Sequence, residues 1–562
     1  MQALHNTADR RRHRRNALAF ASAAMMVLTA EKPALAWKPK THAYLAEMAY
    51  RDAVDDGRVT IFAVDYQKGE ISRDSTGKPI VVGTYAVKPS LLEALRKHPA
   101  QFRSGVLGPD AYPDIATGQQ IIHPAGSRGN GETDADLNRG GPGPDPWLRY
   151  LWEKAYGTSG TPDATGPCRA FVAGYLTHAA GDIYGHTFIN HFTGDAFHFM
   201  PKPENAIKHI VLEGYVGLKT PAPNYDARID EGVAEFIHRN MVDAKAGSPL
   251  EGALLKGENV RLSPPAIFCG LRRALQADIT AYYDKKADYD RKIDAGNILD
   301  KIKFKAEKTA YQLDNAAQIT YKEHWVEDID NGLRAWPALS HEVAKALFYN
   351  PQEKTDLDRV KALIDDYANK HLISMLGAPD FVGAARAVVG RWIDAVLDGL
   401  NIPALKQAVA AIKTSLYDFV LKNTFGMSTE ELKPYLASPE NQFDPVMTNR
   451  AFFTEGGTPI SRSEFDSKEL HLAGPTFDYE RVPAAYNTVV LTKLLFMEPS
   501  EVNRLMRDLG SSRTTSEPTA ILGFARTLDG SNQWSVNPQK LIVAEDVNAY
   551  RRVFMRQSGE KP

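Results

Sequence analysis

The stretch GYLTHAAGDIYGHTFIN, residues 174–190, places His178, Asp182 and His186 at four-residue intervals among Tyr175, Leu176, Ala179, Ala180 and Ile183. At 3.6 residues per turn each such step rotates by only about 40°, so the three polar groups line one stripe of an otherwise apolar helix. Burying two imidazoles and a carboxylate is costly unless they are paired or coordinate a metal. A His-Asp-His hydrogen-bond ladder needs no ion and is the plainer account of this helix taken alone. A second stripe weakens it: in PENAIKHIVLEGYVG, residues 203–217, His209 and Glu213 again sit four apart, flanked by Ile207, Ile210, Val211 and Leu212. Two facing stripes of imidazole and carboxylate offer zinc a preferred ligand set on rigid supports.

The surrounding sequence is helical in pattern. THAYLAEMAYRDAV, PSLLEALRKH and PDPWLRYLWEKAYG precede the opening stretch. CGLRRALQADITAYYDKKADYDRKI, GNILDKIKFKAEKTAYQL, LSHEVAKALF, DLDRVKALIDDYANKHLISML and FVGAARAVVGRWIDAVLDGL follow it, all with apolar residues recurring at three and four. The reading is an all-α protein. Its expected divisions are a leader at 1–36, a catalytic domain at 37–245, a helical region at 246–435 and a looser C-terminal extension at 436–562. The boundary near 245 rests on the Gly/Pro-rich run 244–265; from 436 the pattern loosens, apart from a helix-like NTVVLTKLLFM. The glycine-rich loop 126–146 lacks GK[ST] and reads as a solvated connection. DIDNG, residues 328–332, lacks the spacing of a calcium loop and reads as a helix end. The segment 411–425 reads as packing within the helical region rather than on lipid, because its polar face is not basic. His324 and His341 have no aligned partners and receive no role.

At 562 residues, 43% of them hydrophobic, the chain has ample material for more than one core. A formal net charge of −2 gives no overall basic footprint for duplex nucleic acid or for an anionic membrane, and leaves only a local patch to supply one. Cys168 and Cys269 are the only cysteines, which excludes a Cys-rich zinc fold and leaves a bridge or two buried thiols as alternatives. At the N-terminus Arg10, Arg11, Arg12, Arg14 and Arg15 precede the apolar run NALAFASAAMMVLTA, and Ala34-Leu35-Ala36 precedes Trp37. This is the pattern of a secretory signal peptide, with Sec or twin-arginine export both open and the mature chain secreted or periplasmic from Trp37. The apolar run is too short for a spanning helix, so no transmembrane anchor is expected. Cleavage would free an α-amino group on Trp37 that can chelate a metal together with its own carbonyl, and His42 opens the helix that follows.

Two loops add Asp110, in GVLGPD, and His123, in QQIIHPAG. Trp37, His42, Asp110, His123, His178, Asp182, His186, His209 and Glu213 together resemble, in type and order, the nine ligands of the zinc-dependent phospholipase C family of secreted bacterial enzymes. The resemblance covers roughly residues 37–220. It implies three zinc ions: one held by Asp110, His123, His178 and Asp182, one by His186, His209 and Glu213, and one by the Trp37 amine and carbonyl with His42 and the other oxygen of Asp182. It also implies Asp110 as general base, a phospholipid substrate at a membrane or micelle surface, and diacylglycerol and a phosphorylated head group as products.

The chain departs from the family at one ligand. The best-known members carry a His six residues past the Asp of HxxxD, where this chain has Phe188; the candidates here are His186, which continues the stripe, and His191, which a helix ending at Gly185 would present. Asp114 in YPDI is the second choice to Asp110. S1/P1-type single-strand nucleases share the three-zinc arrangement, but their final pair resembles HxxxD where this chain has His209-xxx-Glu213. Glycosylphosphatidylinositol-specific phospholipases D share the N-terminal domain and cut the other phosphoester bond. A secreted, metal-stabilised binding protein is the non-catalytic alternative.

Overall fold

A computed structural model describes residues 37–65, 70–114, 144–157, 163–193, 212–243, 264–352, 356–371, 454–455, 458–498, 500–502, 504–505, 508, 520–524 and 541–543. The expected leader, most of the loop 126–146, the expected boundary at 244–263 and the segment 411–425 lie outside the described residues. These residues are mostly helical. The helices are α1 (Pro39–Asp56), α2 (Pro89–Lys97), α3 (Pro99–Val106), α4 (Pro144–Tyr156), α5 (Gly166–Thr193), α6 (Glu231–Ile237), α7 (Pro264–Ala295), α8 (Ile298–Phe348), α9 (Leu357–His371), α10 (Arg462–Lys468) and α11 (Pro483–Phe496); residues 212–219 are also helical.

The opening stretch lies within α5, which runs through the middle of the fold. Thr165 precedes it, its hydroxyl accepting from the Cys168 N–H at 3.4 Å. Ala170, Phe171, Val172, Ala173, Tyr175, Leu176, Ala179, Ala180, Tyr184, Phe188 and Ile189 are all buried. A helix apolar all round belongs inside, and α5 packs against α1, α2, α3, α4, α6 and α11. It does not end at Gly185 but continues to Thr193. Positions 178, 182 and 186 therefore stay on one stripe, while position 191 is turned about 180° from 182.

Between α1 and α2 no element is assigned from the sequence. The structure instead pairs Arg58–Phe62 (β1) with Val81–Ala86 (β2) in an antiparallel hairpin, Val59 opposite Tyr85 and Thr60 opposite Thr84. Val59, Ile61 and Tyr85 point into the core, the alternation expected of a half-buried ribbon.

The stretches GNILDKIKFKAEKTAYQL and LSHEVAKALF are parts of one helix, α8, 51 residues long. DIDNG is therefore not a helix end. It continues as helix because Ile329 and Leu333 are buried in the core, Asp330 pairs with Arg272 of α7 at 2.6 Å, and the Tyr367 hydroxyl of α9 donates to the Gly332 carbonyl at 2.6 Å. Tertiary contacts outweigh the poor helix propensity of Asp and Gly there. α7 and α8 form a long antiparallel pair. Its base joins the body; its far end stands in solvent, with Ile298, Leu299 and Ile302 exposed.

The hydrophobic core does not stop at either expected boundary. Trp336 of α8, Phe465 of α10 and Leu491 and Phe496 of α11 belong to the same buried cluster as Phe171 of α5. Helix α11, the one read in NTVVLTKLLFM, packs directly on α5 and α1. Cys168 and Cys269 are buried thiols with no disulfide between them, beside the carbonyls of Gly232 and Val242 respectively, and burial pushes the Cys168 thiol up to about 11. No helix among the described residues is long and apolar enough to cross a membrane.

Candidate metal centre

Three elements converge on the stripe of α5. The first turn of α1 delivers His42. The Thr41 hydroxyl lies 2.9 Å from that of Thr220, whose own hydroxyl donates to the Val216 carbonyl, so the first turn of α1 is tied to the helical stretch that carries Glu213. Further along α1, buried Glu47 takes two hydrogen bonds from Arg103 of α3, at 2.9 and 3.2 Å. The end of α3 then brings Val106 and a short helical turn, Gly108–Asp110, against His178.

The donors meet in the interior. His42 Nε2 lies 3.2 Å from Asp182 Oδ1, and His178 Nε2 lies 3.3 Å from Asp182 Oδ2. One ligand atom from each of the three residues falls within 4.8 Å of the others. The two imidazoles stack at 3.8 Å and 12°. Asp110 Oδ2 stands 3.9 Å from His178 Nε2. His178, Asp182 and Glu213 are 0% exposed, and His42, Asp110 and Asp114 are buried as well.

Glycines make this approach feasible. A Cβ on Gly181 would lie 2.4 Å from His42 Nδ1, and one on Gly185 would lie 2.6 Å from the Trp37 indole. His42 and Trp37 therefore rest on the α5 backbone one turn apart, either side of Asp182. Gly108, at φ +51°, sits so close that a Cβ would be 2.4 Å from His178 Cγ. From the sequence Gly108 and Gly181 receive no role, because the rings they admit belong to residues remote in the chain or to another element.

Protonation follows from the partners. The Val106 carbonyl can only accept, so His178 Nδ1–H donates to it at 2.8 Å, and in the neutral ring Nε2 presents its lone pair to Asp182. A lone pair facing a carboxylate oxygen at that distance calls for a proton or a cation between them. Two stacked imidazolium rings would repel each other, so protonating both is a poor way to meet the charges of Asp110 and Asp182. Both Glu213 oxygens are buried without a hydrogen-bond partner among the described residues. Burial pushes the Glu213 carboxyl up to about 8, with Lys38 opposing and the Asp182 charge reinforcing the rise. An acidic, desolvated donor set of this kind fits one or more divalent cations.

Of the nine residues expected from the sequence, the structure thus brings His42, His178 and Asp182 together, with Asp110 beside them and Trp37 and Glu213 buried nearby. His123 and His209 lie outside the described residues, as do the side chains of His186 and His191. Phe188, at the family's His position, is buried with its ring 5.6 Å from that of Trp37. His341 is a core residue: its Nδ1 accepts from the Tyr112 hydroxyl at 2.6 Å and its Nε2 faces the Ala227 carbonyl at 3.3 Å. Compared with family models, curated proteins and solved structures, the chain finds no match in any of the three.

Proposed function

We propose that this protein is a secreted zinc-dependent phosphodiester hydrolase of the phospholipase C type, acting on phosphatidylcholine-like lipids to give diacylglycerol and a phosphorylated head group. The observation that carries the reading is the division of Asp182, one oxygen toward His42 and the other toward His178. That is how a carboxylate shared between two metal positions must stand, and the resemblance assigns Asp182 this role. The burial of Trp37 beside His42 on α5 supports the third position, and the continuity of α5 to Thr193 supports His186 over His191 for the second. Bound zinc would supply a Lewis acid and bring the pKa of a coordinated water toward about 7.

The chain's own residues do the rest. His42, His178 and Asp182 would hold the metal, and the Val106 carbonyl fixes the His178 tautomer so that Nε2 is the ligand nitrogen. Asp110, at the edge of the cluster, would act as general base; its proximity to His178 supports this. Glu213 favours the lipid enzymes over the single-strand nucleases, whose final pair ends in Asp.

The deciding measurement is zinc content of the processed chain beside its turnover of phosphatidylcholine and of single-stranded DNA. Bound zinc, release of diacylglycerol, loss on chelation and return on zinc addition are the expected results, with Asp182→Ala inactive. DNA turnover exceeding lipid turnover would reassign the substrate. A chain that takes up no zinc would leave the hydrogen-bond ladder as the account of the stripe.

A further inference from the structure

The α7–α8 hairpin carries a feature the proposed chemistry does not use. Beyond Leu275 and Ile329, which join the main core, its helices hold each other through Lys322–Asp278 and Lys308–Asp290 pairs and the stacked rings of Tyr282 and Tyr311, 5.5 Å apart. From Leu275 to the end of α7 is about 30 Å of helix standing away from the body. At the far end Asn297 caps α8, its side-chain oxygen accepting from the Leu299 and Asp300 N–H groups at 3.0 Å each. The tip is therefore built on an ordered helix start, and it presents Ile298, Leu299 and Ile302 at 78%, 78% and 64% exposure. Three large aliphatic groups left together in water cost free energy that a purely structural hairpin has no reason to bear.

The charge around them is equally specific. Residues 291–308 hold six Lys/Arg against three Asp/Glu, within a chain whose formal net charge is −2. Lys301, Lys303 and Lys305 are exposed, and among the described residues none of them makes an ion pair. An apolar tip collared by unneutralised lysines complements an anionic bilayer: the aliphatic groups enter the interface while the long lysine stems reach back to lipid phosphates. Nucleic acid would satisfy the lysines but leave the aliphatic groups without a role. The exposed stripe continues along α8 as Ala306, Thr309 and Leu313, a spacing that a second copy could also use. Like-charged collars and small side chains disfavour that occupant.

We propose that the tip of the α7–α8 hairpin docks the protein on anionic phospholipid bilayers, with Ile298, Leu299 and Ile302 inserted and Lys301, Lys303 and Lys305 engaging the head groups. The proposal rests on the lipid-hydrolase reading for why the protein would seek a bilayer, but docking itself needs no turnover. The test is sedimentation of the full-length processed protein with vesicles of phosphonate lipid analogues, whose P–C bond replaces the scissile ester. Vesicles with and without phosphatidylglycerol-type head groups are compared. Binding should favour the anionic vesicles and fall with salt. It should drop about tenfold or more in the Ile298→Ser, Leu299→Ser, Ile302→Ser variant, and the anionic preference should vanish in the Lys301→Gln, Lys303→Gln, Lys305→Gln variant. Both variants should keep wild-type hydrolysis of a monomeric short-chain lecithin. Intact docking without hydrolysis would count against the lipase reading alone. Unchanged partitioning of the serine variant would overturn the docking surface. So would a self-association in solution that the serine variant abolishes, or DNA retention that is lost with the lysines and kept with the serines.

Discussion

Asp182 and the two glycines that frame it decide whether the cluster can exist. Asp182→Asn keeps the shape but replaces one carboxylate oxygen by an amide that can only donate, so it cannot face both His42 and His178 as an acceptor. Zinc content and hydrolysis should both collapse, while the helical circular dichroism stays; zinc retained at the wild-type level would show that Asp182 is not shared. Gly181→Ala puts a methyl 2.4 Å from His42 Nδ1, where the helix backbone on one side and a buried ring on the other leave little room to give. We expect a loss of about 1–3 kcal/mol in stability and a larger loss of metal affinity, read by urea titration and zinc competition. The meeting of His178 and Asp182 was legible in the sequence because imidazole and carboxylate at four-residue spacing inside an apolar helix must find a partner when buried. The glycines of the site were not, because a close contact needs both partners and Trp37 and His42 are remote from residues 181 and 185 in the chain.

At the scale of the element, α8 is the piece that sequence divided wrongly. Its lower half grips the segment that carries Asp110: Trp336 Nε1 donates to the Pro113 carbonyl at 3.0 Å, the Ser340 hydroxyl donates to the Ala111 carbonyl, and His341 meets Tyr112. Burial holds His341 down at about 4, Lys345 adding to the fall and Glu342 opposing it. An unfolded His titrates near 6.5, so above that pH the group is neutral in both states and costs nothing. As pH falls from about 6.5 toward 4, only the unfolded chain gains the proton, and stability should drop by up to about 3 kcal/mol before levelling off. Urea midpoints measured between pH 7 and pH 4 should show this limb in the wild type and a flatter one in His341→Gln; parallel curves would assign the acid sensitivity elsewhere. Helix periodicity revealed the two ends of α8 without their continuity, because Asp328, Asp330 and Gly332 imitate a terminus. Only the packing of Ile329 and the pairing of Asp330 with Arg272 carry the helix across.

For the whole molecule, α10 and α11 share the core of the helices that precede them. Phe496 of α11 is fully buried with its ring 6.0 Å from Phe102 of α3, and Phe496→Ala should cost about 3–5 kcal/mol. Because α11 shares its core with α5, thermal unfolding of that variant should remain a single transition at lower temperature. A separate early transition that spares the zinc-dependent signal would mark the C-terminal part as an independent unit. The all-α class was legible from periodicity alone, whereas the joining of residues 483–496 to a core begun at Trp37 was not, since a buried helix apolar all round carries no sign of its neighbours. That joining has a consequence for order in time. Thr488 of α11 lies against Gly181, beside His42, so the wall behind the cluster is absent until the ribosome has passed residue 496. A nascent chain holds the donors but not the chamber. On the proposed reading, metal would be captured in its final geometry only after the chain has been made past residue 496, in whichever compartment it then folds.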